Sequence, residues 1–307
     1  MDASPVVDTS GLVYFTDGSL AYAGRHVHER AYPAHTHSFI EVAVAVDGEG
    51  THHSPAGRAR LTAGDAVLLR PGVWHEYEDC DDLVLYNCCF SPGLLQRELA
   101  WARENPVLAH LLWIGPYATG QRGMMSIRLD EASAAECVGH LRALEKLQRC
   151  TAEAFQGDVV GRLTLFLSGL ARAASGSVRS AAPPAHPAIG RAMQLLESRL
   201  ADPWTLAELA RELHMVPGSL VRLFKSAVGL PPMAYLAQQR AEVAAAMLIR
   251  DDRAISHIAR AVGWPDPNYF ARRFKAHFGL SASTYRERFR DAPASAPGRL
   301  PAERARP

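Results

Sequence analysis

The chain has 307 residues, 48% hydrophobic and 21% charged, with a formal net charge of +1, which is ordinary globular material and enough for about two domains. It contains no apolar run near the roughly 18 residues needed to span a bilayer. The opening MDASPVVDTS lacks the basic-then-apolar order of a signal peptide. A cytoplasmic protein without a membrane partner is therefore expected. Five cysteines, with Cys88 and Cys89 adjacent and no C-x-x-C spacing, point to buried thiols rather than disulfides or a zinc ribbon. Charge is unevenly spread. Residues 1–185 hold 15 Lys/Arg against 21 Asp/Glu, net −6, and residues 186–307 hold 18 against 11, net +7. A basic half of this kind hints at a polyanionic partner.

Strand-like segments dominate residues 12–90: LVYF (12–15), FIEVAVAV (39–46), ARLTAGDAVLLR (59–70) and DLVLYNCCF (82–90). The tetrapeptide DGEG (47–50) carries a hairpin-turn signal. Within HTHSFIEVAVAVDGEG (35–50), an extended chain alternates its side chains between two faces. His35, His37, Phe39, Glu41, Ala43 and Ala45 then share one face, and Ile40, Val42, Val44 and Val46 the other. His35, His37 and Glu41 are three potential metal ligands pointing the same way. His52 and His53 are weaker candidates, expected on the following strand. Phe39, Trp74 and Tyr77 are candidates for an apolar wall, although aromatics inside a barrel also serve as plain core.

Residues 131–173 carry apolar positions at helical spacing, among them Leu141, Leu144, Leu147, Leu163, Phe166, Leu167 and Leu170. They predict two helices outside the strand-rich part. The stretch ASGSVRSAAPPAHP (174–187) has no apolar periodicity and reads as a linker.

Beyond it the sequence repeats itself. LAELARELHMVPGSLVRLFKSAVGL (206–230) matches ISHIARAVGWPDPNYFARRFKAHFGL (255–280) at Leu209-Ala210 and Ile258-Ala259, Pro217 and Pro267, Phe224-Lys225 and Phe274-Lys275, and Gly229-Leu230 and Gly279-Leu280. Each copy reads as helix, short turn, helix. Thr205 and Glu208 form a capping-box pattern, Pro217 and Pro267 suit first helical positions, and Asp266 is a natural cap. MAYLAQQRAEVAAAMLIR (233–250) predicts a strong connecting helix. The second helices carry Arg222 and Lys225 in one copy and Asn268, Arg272, Arg273 and Lys275 in the other. Arg and Asn are the side chains that read base edges, while Lys holds phosphates.

The span 188–290 resembles the AraC/XylS family of bacterial transcription regulators, most specifically in IARAVGWPDPNYFARRFKAHFGLSASTYR. The resemblance implies two helix-turn-helix units joined by a long helix, with the second helix of each unit in the major groove of double-stranded DNA. It places groove-facing positions at Gly218, Val221 and Arg222, and at Asn268, Tyr269 and Arg272. Val216 stands where the family often has a serine cap, and Gly218 offers no side chain, so the first unit is expected to read fewer bases. Trp264 replaces a more usual Phe.

The N-terminal half has H-x-H-x3-E-x6-G (35–48) followed by G…PG-x-x-H (64–75), which resembles the cupin barrel motifs. By that resemblance His35, His37, Glu41 and His75 occupy the positions that bind metal in cupin enzymes. Such a set suits Fe, Mn, Ni or Zn. In regulators the same histidines often hold an organic ligand by hydrogen bonds instead. The expectation is therefore an effector pocket of His35, His37, Glu41, His75, Phe39 and Trp74 without an obligatory cofactor, a divalent transition metal on the same residues being the alternative.

The whole is expected to be α+β. A cupin-like effector and dimerisation domain (1–175), a linker (176–187), a DNA-binding domain (188–290) and a disordered tail (291–307) are expected in that order. The resemblance implies a homodimer through residues 131–173. It also implies a non-enzymatic activator that answers to a small molecule such as a sugar and meets RNA polymerase. The rival from another class is a metal-dependent cupin enzyme with a helical appendage.

Overall fold

The structure, a computed structural model, describes residues 6–7, 13–14, 20–118, 120–147, 156–175, 187–250 and 252–290. The expected tail lies outside these residues, as does the expected linker apart from Pro187.

The N-terminal half is an antiparallel sheet domain. After a two-residue pairing of β1 (Val6–Val7) with β2 (Val13–Tyr14) come β3 (Ala21–His28), β4 (Tyr32–His35), β5 (Ile40–Ser54), β6 (Gly57–Thr62), β7 (Asp65–Leu69) and β8 (His75–Phe90). Short helices α1 (Pro92–Gln96) and α2 (Pro106–Ala109), then β9 (Met124–Arg128), complete it. The main path runs β3-β8-β5-β7-β9, with β4 on β8 and β6 on β5. The long strands β5 and β8 thus belong to both halves of a cupin-like barrel.

Alternation along β5 sets its two faces. Ile40, Val42 and Val44 pack outward with Trp113, Leu141, Leu163 and Phe166. Ala43 and Ala45 point inward with Leu61, Val67, Leu69, Tyr77, Leu83, Leu85 and Met124.

Two local expectations are corrected. DGEG does not turn a hairpin, because β5 continues through it to Ser54, and the turn falls at Pro55-Ala56 with Ser54 opposite Gly57. Those residues instead form a bulged stretch, with register shifts against β8 from Ala45 to Thr51. Gly48 adopts φ +65 there, and a Cβ on it would lie 2.2 Å from the Asp82 carbonyl oxygen; a bulge glycine and a turn glycine look alike in sequence. His52 and His53 therefore lie on β5 itself. The second correction is that residues 35–46 are not one strand: β4 ends at His35, and the chain bends before Ile40.

Helices α3 (Glu131–Leu147) and α4 (Gln156–Ser175) form where expected. Their stripe, Leu141, Leu144, Leu163, Phe166, Leu167 and Leu170, is buried against the barrel within the chain. The stripe itself is therefore spent on internal packing. The large hydrophobic residue that α4 leaves exposed is Leu165, 48% accessible.

The C-terminal half is all helical: α5 (Pro187–Ser198), α6 (Leu206–Glu212), α7 (Pro217–Val228), α8 (Pro232–Arg250), α9 (Ile255–Ala261), α10 (Pro267–Phe278) and α11 (Ala282–Arg290). The Thr205–Glu208 capping box is present, and the Asp266 side chain caps α10. Leu220, Phe224, Phe270, Phe274 and Phe278 are fully buried. These are two helix-turn-helix units, α6–α7 and α9–α10, joined by α8.

The two halves share one core. Leu111, Leu112, Trp113 and Tyr117 from the barrel side cluster with Leu209, Leu220 and Phe224 of the first unit and Tyr235 of α8. Trp74 joins the cluster of the second unit.

Candidate effector site and nucleic-acid interface

His35 at the end of β4, His37 in the following bend, Glu41 on β5 and His75 at the start of β8 converge. His37 Nε2 lies 2.8 Å from Glu41 Oε2, and His75 Nε2 lies 3.6 Å from the same oxygen. The rings of His35 and His75 are 4.1 Å apart between centroids. Each imidazole is oriented through its other nitrogen. His35 Nδ1 faces the Pro33 carbonyl at 2.9 Å, His37 Nδ1 the Phe39 carbonyl at 2.9 Å, and His75 Nδ1 the Val73 carbonyl at 3.4 Å. Donation from Nδ1–H leaves the Nε2 lone pairs of His35 and His75 facing the centre, whereas His37 Nε2–H donates to the Glu41 carboxylate.

The electrostatics keep the His35 and His75 rings neutral. Burial pushes the pKa of His35 down to about 4, and burial with neighbouring imidazoles pushes His75 well below the usual histidine range. Burial acts to raise Glu41, but its contact with His37 and the nearby imidazoles outweigh it and hold the carboxyl below its ordinary value. The result is one buried anion, Glu41, beside the neutral imidazoles of His35 and His75.

The surroundings differ from the expectation. His52 joins the cluster, its ring 5.6 Å from that of His75. His53 turns outward to Glu76, with Nδ1 2.7 Å from Oε1. Tyr77 stacks on His28 at 5.0 Å, and Tyr32 meets His35 at 4.8 Å. Sequence reading missed His28 and Tyr32; the period-2 pattern of AYAGRHVH was the available signal. Among the described residues, His52 Nε2, His75 Nε2 and Tyr77 Oη are buried without a hydrogen-bond partner. Phe39 stacks on His37 at 4.2 Å and supports it. Trp74 is a correction: it leaves the cluster and donates from Nε1 to the Phe278 carbonyl at 3.0 Å. Alternation about β8 sends His75 inward and its neighbour outward.

That outward turn makes the wall of the site part of the domain interface. Thr36, between His35 and His37, hydrogen-bonds Tyr285 Oη at 2.9 Å, and Tyr285 donates to the Gly72 carbonyl at 2.7 Å. Gly72 N–H in turn donates to the His37 carbonyl at 2.8 Å. A Cβ on Gly72, at φ +80, would stand 2.7 Å from Ala245 Cβ, so only glycine permits this approach of α8. Two residues earlier, Arg70 donates from Nε and Nη2 to Glu242 on α8, at 3.3 and 3.1 Å, and from Nη1 to the Leu112 carbonyl at 3.2 Å. Tyr117 donates to the same carboxylate.

His277, on α10, is buried at this junction. Burial, reinforced by Arg273, Arg70 and Arg122, lowers its pKa to about 4. Between pH 6.5 and about 4 the unfolded chain takes up this proton while the folded chain does not, so stability falls as pH drops through that window. A depression of this size costs on the order of 3 kcal/mol at its acid end. Melting temperature followed from pH 7 to pH 4 should therefore decline, and His277→Gln should flatten the curve. An unchanged slope in the variant would remove His277 from this role.

On the DNA-binding side, Arg222, Lys225, Asn268, Tyr269, Arg272 and Lys275 are exposed, as is Gly218. Val221 and Arg273 are half-buried. The Asp266 side chain accepts from Asn268 N at 2.8 Å, and the Arg272 guanidinium lies over the Tyr269 ring at 5.9 Å. The tip of α10 is thus ordered before any DNA arrives.

A ligand-binding barrel docked on paired helix-turn-helix units defines a ligand-responsive DNA-binding protein. A family model of the AraC-like ligand binding domain matches residues 17–114, and one of a helix-turn-helix domain matches residues 209–288. Similar proteins include the HTH-type transcriptional activator RhaR of Klebsiella pneumoniae, 27% identical over 276 residues, 89% of this chain and 94% of that protein. RhaR of Pectobacterium carotovorum is 27% identical over 282 residues, 90% of this chain and 93% of its own length. ToxT from Vibrio cholerae O395, solved with (E)-4-(8-methylnaphthalen-1-yl)but-3-enoic acid, shares the fold at a TM-score of 0.51 and 13% identity, over 88% of this chain and 99% of that one. The chain belongs to the AraC/XylS family and is a DNA-binding transcriptional regulator with an N-terminal ligand-binding domain.

Proposed function

We propose that the chain is a cytoplasmic, homodimeric activator that recruits RNA polymerase when the barrel cluster is occupied by a small-molecule effector. The relatives named as activators support the direction of control. Among the described residues no helix is long and apolar enough to cross a membrane. The observation that carries the reading is the interleaving of His35, His37 and His75 with Thr36, Gly72 and Trp74, which touch Tyr285 on α11 and Phe278 on α10. An occupant that moves the imidazoles also moves the residues gripping α10 and α11, which biases the placement of the DNA-reading helices. A sugar-like effector would present hydroxyls to Nε2 atoms and the Glu41 carboxylate.

One observation favours a second occupant. Donor atoms of His35, Glu41 and His75 lie within 4.8 Å of one another, and the Nε2 of His75 is an orphan. A divalent transition metal fits this donor set, held by His35, Glu41 and His75 with His37 beside them. It would supply a Lewis-acid point for an oxygen of the effector. Metal content of protein purified without chelator separates the two occupants: near-stoichiometric metal, with chelation abolishing the response, assigns the second.

The DNA side has its own test. Arg272→Ala should weaken specific binding by about 1–3 kcal/mol, the worth of a good bidentate base contact, and leave non-specific binding nearly intact. Equal losses in both would make Arg272 a phosphate contact only. Competition binding against random-sequence duplex measures the difference.

A further inference from the structure

We infer that the first helix-turn-helix unit reads thymine methyl groups, through Val216 and Val221 at the tip of α7, while the second unit reads hydrogen-bonding base edges. This rests on α7 entering the major groove. The N-terminal residues of such a helix meet the base edges. At that end α7 presents Val216, Pro217 and Gly218, then half-buried Ser219 and Val221, before Arg222 and Lys225. The corresponding end of α10 presents Asp266, Asn268, Tyr269 and Arg272.

Two features of the α7 tip have no internal explanation. Val216 is the N-cap residue, makes no side-chain cap bond and is 69% exposed. Polar caps are available to this chain, as Thr205 on α6 and Asp266 on α10 show. Gly218 has an ordinary helical backbone, and a Cβ on it would meet nothing within 4 Å. Neither φ nor packing calls for glycine there. An exposed valine without a cap and a glycine without a steric reason both weaken the helix in the free protein. Both make sense against a partner that approaches the backbone closely and offers an apolar group. The thymine C5-methyl is the apolar group that the major-groove edge of a base pair displays. Exposed Arg222 and Lys225 on the same helix suit the flanking phosphates.

The test uses the full chain. Duplexes selected from a random library define the bound site, and selection with Arg272→Ala identifies the half read by α10. In the other half, each thymine is replaced in turn by deoxyuridine, which removes the methyl and keeps every hydrogen-bonding group. We expect one or two thymines at which affinity falls about fourfold, the worth of one buried methyl-sized group. In Val216→Ser, whose new hydroxyl caps α7 and preserves the helix, at least one of these positions should bind thymine and uracil alike. Uniform indifference to uracil across that half-site, or full discrimination retained in both Val216→Ser and Val221→Ser, overturns the assignment. Failure to select any duplex would instead refute DNA reading by α7 and α10 itself, and the methyl assignment with it.

Discussion

Replacing Glu242 by alanine should destabilise the protein by about 3–5 kcal/mol, the cost of stranding a buried charge. Arg70 is 3% exposed and Glu242 4%. Burial works against the Arg70 charge, but Glu242 beside it outweighs that and keeps the guanidinium protonated. Without the carboxylate, Arg70 keeps the Leu112 carbonyl and the face of the Tyr117 ring but no counter-charge, and Tyr117 loses its acceptor. The double change Arg70→Met with Glu242→Met removes both charges and should come close to the parent, because a pair of packed apolar groups often replaces a buried ion pair without loss. Denaturant midpoints of parent, single and double variants give the comparison. A Glu242→Ala protein within about 1 kcal/mol of the parent would mean that water reaches this interface and that the two halves are not held by it.

Glu41→Gln should keep the fold and cut occupancy of the barrel site by about 10–100-fold, the equivalent of one charged hydrogen bond at about 1.5–3 kcal/mol. Glutamine matches the carboxylate in shape and removes the anion that His37 and His75 approach. Thermal-shift screening of the parent against sugars and divalent metal ions supplies probes; a probe at a hundred times its Kd stabilises by about 2.7 kcal/mol. The shift should collapse in Glu41→Gln and in His37→Ala. A probe that stabilises parent and both variants alike binds elsewhere, and the cluster is then only core.

Much of this was legible in the sequence, and the losses have physical causes. The repeat, its caps and its buried phenylalanines are local features, so the helical half was readable to within a residue or two. His35, His37 and Glu41 were placed on one face by an alternation that in fact breaks after His35; the bend at 36–39 brings His37 back to the same centre. DGEG misled because bulge and turn use the same residues. Trp74 misled because position beside His75 says nothing of the second domain waiting outside β8. His28 left only a weak period-2 signal in AYAGRHVH, while Tyr32 and the pairing of Arg70 with Glu242 depend on contacts between segments far apart in the chain, which no local pattern encodes.

The coupling of barrel to DNA is tested most directly by specific DNA affinity, measured with and without a screened barrel probe, in the parent and in Tyr285→Phe. That variant keeps the ring and removes the hydroxyl that links Thr36 and the Gly72 carbonyl to α11. The account predicts that the probe changes DNA affinity in the parent, and that Tyr285→Phe still binds both probe and DNA but loses most of that change. A probe bound through Glu41 that leaves DNA affinity unaltered in the parent, or alters it equally in Tyr285→Phe, would contradict it.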